Sequence, residues 1–216
     1  MPPRTDFDLS VYLVTDGALC GARGVVETVR QAIGAGATMV QLRDPVAKTR
    51  ALVEEARALA AVLRPAGIPF IVNDRVDVAM AAGADGVHLG QSDMSPADAR
   101  ALMGPAPILG LSITALADLD ASDLAGVDYL GVGPVFATTT KADAAPAMGL
   151  AGLSAVHTVC TLPIVAIGGI GAANTAEVIK AGADGVAVVS AICAASDAAA
   201  ATRNLAGIVA AAKRRA

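Results

Sequence analysis

The chain has 216 residues, of which 55% are hydrophobic, 17% charged and 2% aromatic, with a formal net charge of -4. That much apolar surface offsets chain entropy and excludes a disordered chain, while the acidic balance and the lack of tryptophan exclude a basic or base-stacking nucleic-acid surface. Three widely spaced cysteines, Cys20, Cys160 and Cys193, exclude a disulfide scaffold and a structural zinc site and point to a reducing cytosol.

Short runs rich in β-branched residues recur along the chain, at 11–16, 38–43, 69–74, 86–91, 107–113, 129–136, 163–169 and 185–192. Each is nearly continuous in apolar residues, as parallel strands covered on both faces require. Alanine-rich segments with helical spacing lie between them. Over 49–63, Leu52, Ala56, Leu59 and Leu63 form one stripe, with Glu54, Glu55 and Arg57 off it. Pro65-Ala66-Gly67 then reads as a helix stop. Asp44-Pro45 reads as an N-cap followed by proline at the first helical position.

Ala-Gly-Ala precedes a strand at 35–37, 82–84 and 181–183, and two copies extend to Ala-Gly-Ala-Asp-Gly-Val at 82–87 and 181–186. A glycine ending a helix before a short turn into a strand accounts for the repetition. Eight strands alternating with helices in this length predict an α/β fold: a single-domain (β/α)8 TIM barrel over 1–216, its core about 11–213. The alternative, a doubly wound open sheet, needs a glycine-rich first turn, and Asp16-Gly17-Ala18 is not one. The N-terminus lacks a signal-peptide pattern and no apolar run is long enough to span a bilayer, so the expected location is cytoplasmic, with no membrane partner.

A barrel of this kind places its chemistry where strands end. The polar residues cluster there: Gln41, Arg43 and Asp44 after strand two, Asn73 and Asp74 after strand three, and Gln91, Ser92 and Asp93 after strand four. Ser112 lies near the end of strand five, and strand six leads into Thr138, Thr139, Thr140 and Lys141. Gly168-Gly169 end strand seven, and Ser190 is read as part of strand eight. Taken singly, each could be a salt bridge or a cap; Asp93 in particular could cap the helix entered at Ser95-Pro96. Together, the cations Arg43 and Lys141 with the carboxylates Asp74 and Asp93 suit a magnesium-bound diphosphate. Gly168-Gly169 with Val189-Ser190 suit a second phosphate held by backbone N–H groups. The segment 138–149 reads as a mobile loop carrying Lys141. His88 inside a strand and Tyr12 on strand one read as core residues, and no Ser-His-Asp arrangement is in evidence.

These residues resemble thiamine-phosphate synthases. The likeness rests on Tyr12-Leu13-Val14-Thr15-Asp16, Val40-Gln41-Leu42-Arg43, Val72-Asn73-Asp74-Arg75 and 86–93. It continues through 131–136 into Thr138-Thr139-Thr140-Lys141, then Ala166-Ile167-Gly168-Gly169-Ile170 and Val189-Ser190, covering about 11–192. The resemblance implies an enzyme that joins hydroxymethylpyrimidine diphosphate to a thiazole phosphate, or its carboxylated form, releasing diphosphate through a dissociative carbocation step. It implies that Gln41, Arg43, Asn73, Ser112 and Lys141 hold the pyrimidine diphosphate, with Arg43, Ser112 and Lys141 catalytic. Asp74 and Asp93 would bind Mg2+, and Thr138, Thr139, Thr140, Gly169, Val189 and Ser190 would hold the thiazole phosphate. The partners are then two phosphorylated small molecules; homo-oligomer formation is left open. One departure stands out: the family usually reads Gln-Leu-Arg-x-Lys, and here Pro45 occupies the lysine position, with Lys48 the next cation. A thiazole tautomerase-like relative would share the barrel and the monophosphate site but lack the diphosphate residues. A non-catalytic paralogue would bind without releasing diphosphate.

Overall fold

The computed structural model describes residues 7–140 and 145–214. In chain order the elements are β1 (Val11–Val14), α1 (Gly17–Cys20), α2 (Val25–Ile33), β2 (Met39–Leu42), α3 (Thr49–Ala66), β3 (Phe70–Asn73) and α4 (Val76–Ala82). Then follow β4 (Gly86–Leu89), α5 (Pro96–Met103), β5 (Ile108–Ile113), α6 (Ala117–Ala121), β6 (Tyr129–Val132) and α7 (Gly149–Val159). The chain ends with β7 (Ile164–Ile167), α8 (Thr175–Lys180), β8 (Gly185–Val188), α9 (Ser190–Cys193) and α10 (Ala198–Lys213). All eight strands are parallel and close into a barrel in sequence order, β8 pairing with β1. The architecture is the expected (β/α)8 barrel.

Strand alternation sorts the apolar residues into two cores. Val11, Leu13, Val40, Leu42, Leu109 and Leu111 point outward and join the helices in one large cluster. Tyr12, Val14, Met39, Ile71, Ile108, Tyr129 and Val165 point inward and fill the barrel. Both faces are covered, which is why the strands read as unbroken apolar runs. Among the described residues no helix is long and apolar enough to cross a membrane.

The helix stop read at Pro65-Ala66-Gly67 is borne out, and three other readings at element ends are corrected. Helix α3 runs through Pro65 to Ala66 and stops at Gly67, whose φ of 66° is the left-handed cap that glycine tolerates. Asp44 does not cap that helix: its Oδ1 accepts from the N–H groups of Val46 and Ala47, closing a local turn, and α3 starts only at Thr49. Asp93 does not cap α5, because Ser95 does. Strand eight stops at Val188, so Ser190 opens α9 instead of lying in the sheet.

The repeated motif has a role that its glycines alone do not explain. Gly83 and Gly182 do take positive φ, 66° and 106°. The aspartate that follows then reaches sideways at the N-terminal face of the barrel. Phe70 N–H donates to Asp85 Oδ2 at 2.9 Å, Leu109 N–H to Asp128 Oδ2 at 2.9 Å and Ile164 N–H to Asp184 Oδ2 at 2.8 Å. Each carboxylate thus satisfies an amide in the first two residues of a neighbouring strand, which the barrel would otherwise bury unpaired. At Asp128 the network is closed by Arg100, whose Nη2 lies 2.6 Å from Oδ2 while Nε donates to Gly126 O at 2.8 Å. Asp128 is 3% exposed and the Arg100 side chain 16%, so removing the carboxylate leaves a mostly buried guanidinium with only carbonyl acceptors. Asp128→Ala is therefore expected to cost about 3 kcal/mol, read as a lower urea midpoint at unchanged m-value. A loss below about 1 kcal/mol would mean that Arg100 finds other acceptors.

Candidate active site

The C-terminal mouth of the barrel gathers the sequence-predicted residues. After β1, Thr15 is buried and its Oγ1 accepts from Arg43 N–H at 3.1 Å, while Thr15 N–H donates to Gln41 O at 2.9 Å. These two bonds lace the ends of β1 and β2 and set where Arg43 leaves the barrel. The Arg43 guanidinium has no ion-pair partner among the described residues.

Asn73 ends β3 beside His88 in the register of the sheet. The next residue, Asp74, has φ of 60°, the one positive φ outside glycine among the described residues. Its N–H donates to His88 O at 2.8 Å, which holds the turn. A left-handed aspartate at a strand end is a strained position of the kind that collects at functional sites. Asp74 and Asp93 line one groove of about 490 Å³, whose other walls include Asp77 and Met80 of α4 and Leu102 of α5. Asp93 Oδ2 accepts from Gly90 N–H at 2.7 Å. Asp77 in the same groove is committed to Arg75, with Nε–Oδ1 at 2.8 Å and Nη2–Oδ2 at 2.6 Å.

This donor set fits a hard, oxygen-binding divalent cation. Among the described residues no three His, Cys, Asp or Glu side chains converge, which argues against a closed transition-metal centre. Two carboxylates on one groove suit Mg2+, which takes few protein ligands and completes its shell with water and phosphate oxygens.

Ser112, on the inner face of β5, lies with Oγ 2.9 Å from His88 Nε2, and its carbonyl accepts from Gln91 Nε2 at 2.7 Å. Burial lowers the His88 pKa to about 4, the charge of Asp93 acting the other way, so the ring is neutral at pH 7. Gln41 is buried on β2, its Nε2 donating to Tyr12 Oη at 2.9 Å. Gln41 and Ser112 therefore face the barrel interior from opposite sides.

The other half of the mouth is built from backbone. Beyond β6 the chain runs beside the end of β7, with Val135 N–H donating to Ile167 O and Phe136 N–H to Gly168 O. That brings Thr138, Thr139 and Thr140 toward Gly168-Gly169. A Cβ on Gly169 would meet Ala137 O at 2.7 Å and Phe136 Cβ at 2.8 Å, and φ there is 62°. Packing against the β6 loop thus requires glycine at 169 independently of any ligand. Asn174, which the sequence reading did not single out, clamps this turn: Nδ2 donates to Gly169 O and Oδ1 accepts from Gly171 N–H, both at 2.9 Å. Val189 and Ser190 lie at the next strand end, where the short helix α9 begins and Val189 O accepts from the N–H groups of Ile192 and Cys193. Arg23 holds the far end of that helix through Cys193 O at 2.7 Å and Ala195 O at 2.8 Å. Lys141 lies outside the described residues.

The model of the family described as thiamine monophosphate synthase matches residues 11–192. The thiamine-phosphate synthase of Xanthobacter autotrophicus is 64% identical over 96% of this chain and 98% of that protein. That of Azorhizobium caulinodans is 56% identical over 96% of this chain and 98% of that protein. The solved structure of thiamine phosphate pyrophosphorylase from Pyrococcus furiosus has a TM-score of 0.87 at 41% identity, covering 94% of this chain and 96% of that one. A 3-hexulose-6-phosphate synthase, at 19% identity and a TM-score of 0.65, shares the fold alone. With the family match spanning most of the barrel and such identities held over nearly the whole length, the chain belongs to the thiamine-phosphate synthase family.

Proposed function

We propose that the mouth of this barrel joins a hydroxymethylpyrimidine diphosphate to a thiazole phosphate, forming thiamine phosphate and releasing diphosphate. The observation that carries this reading is the division of the mouth into two unlike anion sites. One, at β2 to β5, combines the Arg43 cation with the Asp74–Asp93 groove. The other, at β6 to β8, is made of threonines, glycine turns and the start of α9.

In the reaction, the bond between the pyrimidine methylene carbon and the diphosphate oxygen breaks first, and its electron pair leaves with diphosphate. The methylene cation, stabilised by the aminopyrimidine ring, is then captured by the lone pair of the thiazole nitrogen. No proton needs to be abstracted by the protein, so the Ser112–His88 pair is not called on as nucleophile and base. The chain's task is to stabilise charge as it gathers on the leaving group. Arg43 donates to diphosphate oxygens, Ser112 supplies a hydroxyl donor, and Lys141 adds a second cation. Asp74 and Asp93 would hold Mg2+, which supplies further charge neutralisation on the diphosphate. Gln41 and Asn73 orient the ring, while Thr138 to Thr140, Gly169, Val189 and Ser190 seat the thiazole phosphate.

The test is a coupling assay with both substrates, with and without Mg2+, following thiamine phosphate and diphosphate together. The expected result is equimolar, magnesium-dependent formation of both. Asp74→Asn should lower the rate on the order of 100-fold and raise the magnesium concentration needed. Saturable binding of the thiazole phosphate with no diphosphate release would overturn the reading and leave only the monophosphate half in place. Running the assay with the carboxylated thiazole phosphate as well tells which form is used.

A further inference from the structure

Inside the barrel, below the proposed ligand positions, lies a chain of hydrogen bonds that the reaction as written does not employ. Gln41 Nε2 donates to Tyr12 Oη at 2.9 Å. Tyr12 Oη lies 2.9 Å from Tyr129 Oη, Tyr129 Oη lies 3.0 Å from His88 Nδ1, and His88 Nε2 lies 2.9 Å from Ser112 Oγ. Five strands contribute one residue each. Tyr12 and Tyr129 are 1% and 0% exposed, and His88 is 8% exposed. Gly110 and Gly131 clear the space: a Cβ on Gly110 would meet Tyr129 Cζ at 2.2 Å, and one on Gly131 would meet His88 Cε1 at 2.7 Å. No buried side-chain nitrogen or oxygen among the described residues lacks a partner.

We propose that Tyr12, Tyr129 and His88 form a one-way relay that fixes the polarity of its two ends, so that Gln41 presents its carbonyl oxygen to the ligand and Ser112 presents its O–H. The direction follows from counting protons. An amide NH2 can only donate, so Tyr12 Oη accepts from Gln41. The single Tyr12 proton then has one partner left, Tyr129 Oη. The Tyr129 proton goes in turn to His88 Nδ1. A neutral ring that accepts at Nδ1 carries its hydrogen on Nε2 and donates it to Ser112 Oγ. The Ser112 proton is then left over, and it points to the mouth. The opposite polarity requires the Gln41 amide turned over and the His88 hydrogen on Nδ1.

The consequence for substrate choice rests on the proposed function. A carbonyl at the Gln41 end demands a donor, which the exocyclic amine of an aminopyrimidine supplies. A hydroxyl hydrogen at the Ser112 end demands an acceptor, which a diphosphate oxygen supplies. An otherwise identical 4-oxo pyrimidine diphosphate would set carbonyl against carbonyl and be rejected. Tyr12, Tyr129 and His88 act through Gln41 and Ser112, and are positioning residues.

Two measurements test this. The chain has two histidines, so His157→Gln, at an exposed helix position, leaves His88 alone in a nitrogen-15 NMR spectrum of the ligand-free protein. The expected pattern is the Nε2–H tautomer; the Nδ1–H tautomer would overturn the proposal. This readout needs no substrate, so it stands even if the coupling assay fails. Tyr129→Phe, nearly isosteric, cuts the relay at its centre and lets the Gln41 amide turn over. Discrimination between the amino and 4-oxo diphosphates in kcat/KM should then fall on the order of 100-fold, with the KM for thiazole phosphate unchanged. A variant that loses activity equally on both pyrimidines would show that Tyr129 only fills space, and would sink the relay.

Discussion

Gly110→Ala is expected to unfold the protein at a much lower urea concentration than any substitution at the mouth. The position lies on the inner face of β5, where a Cβ would stand 2.2 Å from Tyr129 Cζ and 2.4 Å from both Tyr129 Oη and His88 Nδ1. Neither ring has room to yield. Tyr129 is fully buried and bonded on both sides through its hydroxyl, and its ring meets Tyr12 edge-on at a centroid distance of 6.0 Å. Overpacking of this kind costs about 3 kcal/mol or more, because the barrel must open or the rings must leave their rotamers. Equilibrium urea unfolding gives the number. Tyr129→Leu in the same chain removes the ring atoms that the methyl group meets, so the double variant should regain about half of the loss. A Gly110→Ala protein with a wild-type midpoint would mean that the rings have a second position, and that packing does not hold the relay in register.

This glycine also marks where the sequence stops being legible. The eight strands could be read because each is an apolar run framed by turn residues, and the barrel order followed from their regular alternation with helices. Their ends could not be read as well. Apart from Ser190, the run from Val186 to Ile192 is apolar and reads as one strand, although a short helix begins at Ser190; a segment of that length does not declare its period. Asp44-Pro45 carries the local chemistry of a helix start, yet its carboxylate is used up within a turn five residues before the helix begins. The mouth was legible because its residues follow strand ends one after another. The interior chain was not, because its links join residues as far apart as 12 and 129, and no local pattern announces that a tyrosine and a histidine on different strands will meet. The Asp85, Asp128 and Asp184 caps fall between these cases: the repeat is visible, but the amide that each one serves lies on another strand.

The second large effect is expected at Arg43, and it is on kcat. The loop after β2 carries Arg43 with Pro45 where the family resemblance leads one to expect lysine, and the next cation, Lys48, sits at the N-cap position of α3. Arg43 is thus the cation of this loop closest to the barrel end, fixed there by the bond of its N–H to Thr15 Oγ1 at 3.1 Å. Negative charge on the diphosphate grows as its bond to carbon breaks, so a guanidinium carried at this point is worth more in the transition state than in the bound substrate. Arg43→Ala should lower kcat by about 100- to 1,000-fold, equivalent to about 3–4 kcal/mol, while the KM for thiazole phosphate stays within about twofold. Arg43→Lys keeps the charge but loses the planar fork that matches phosphate oxygens, and should fall between the two. If Arg43→Ala instead raises the KM for the pyrimidine diphosphate with kcat intact, Arg43 binds ground state and transition state alike. The developing charge would then rest on Lys141 and on whatever cation Asp74 and Asp93 hold, and the burden assigned to this loop would move across the barrel mouth.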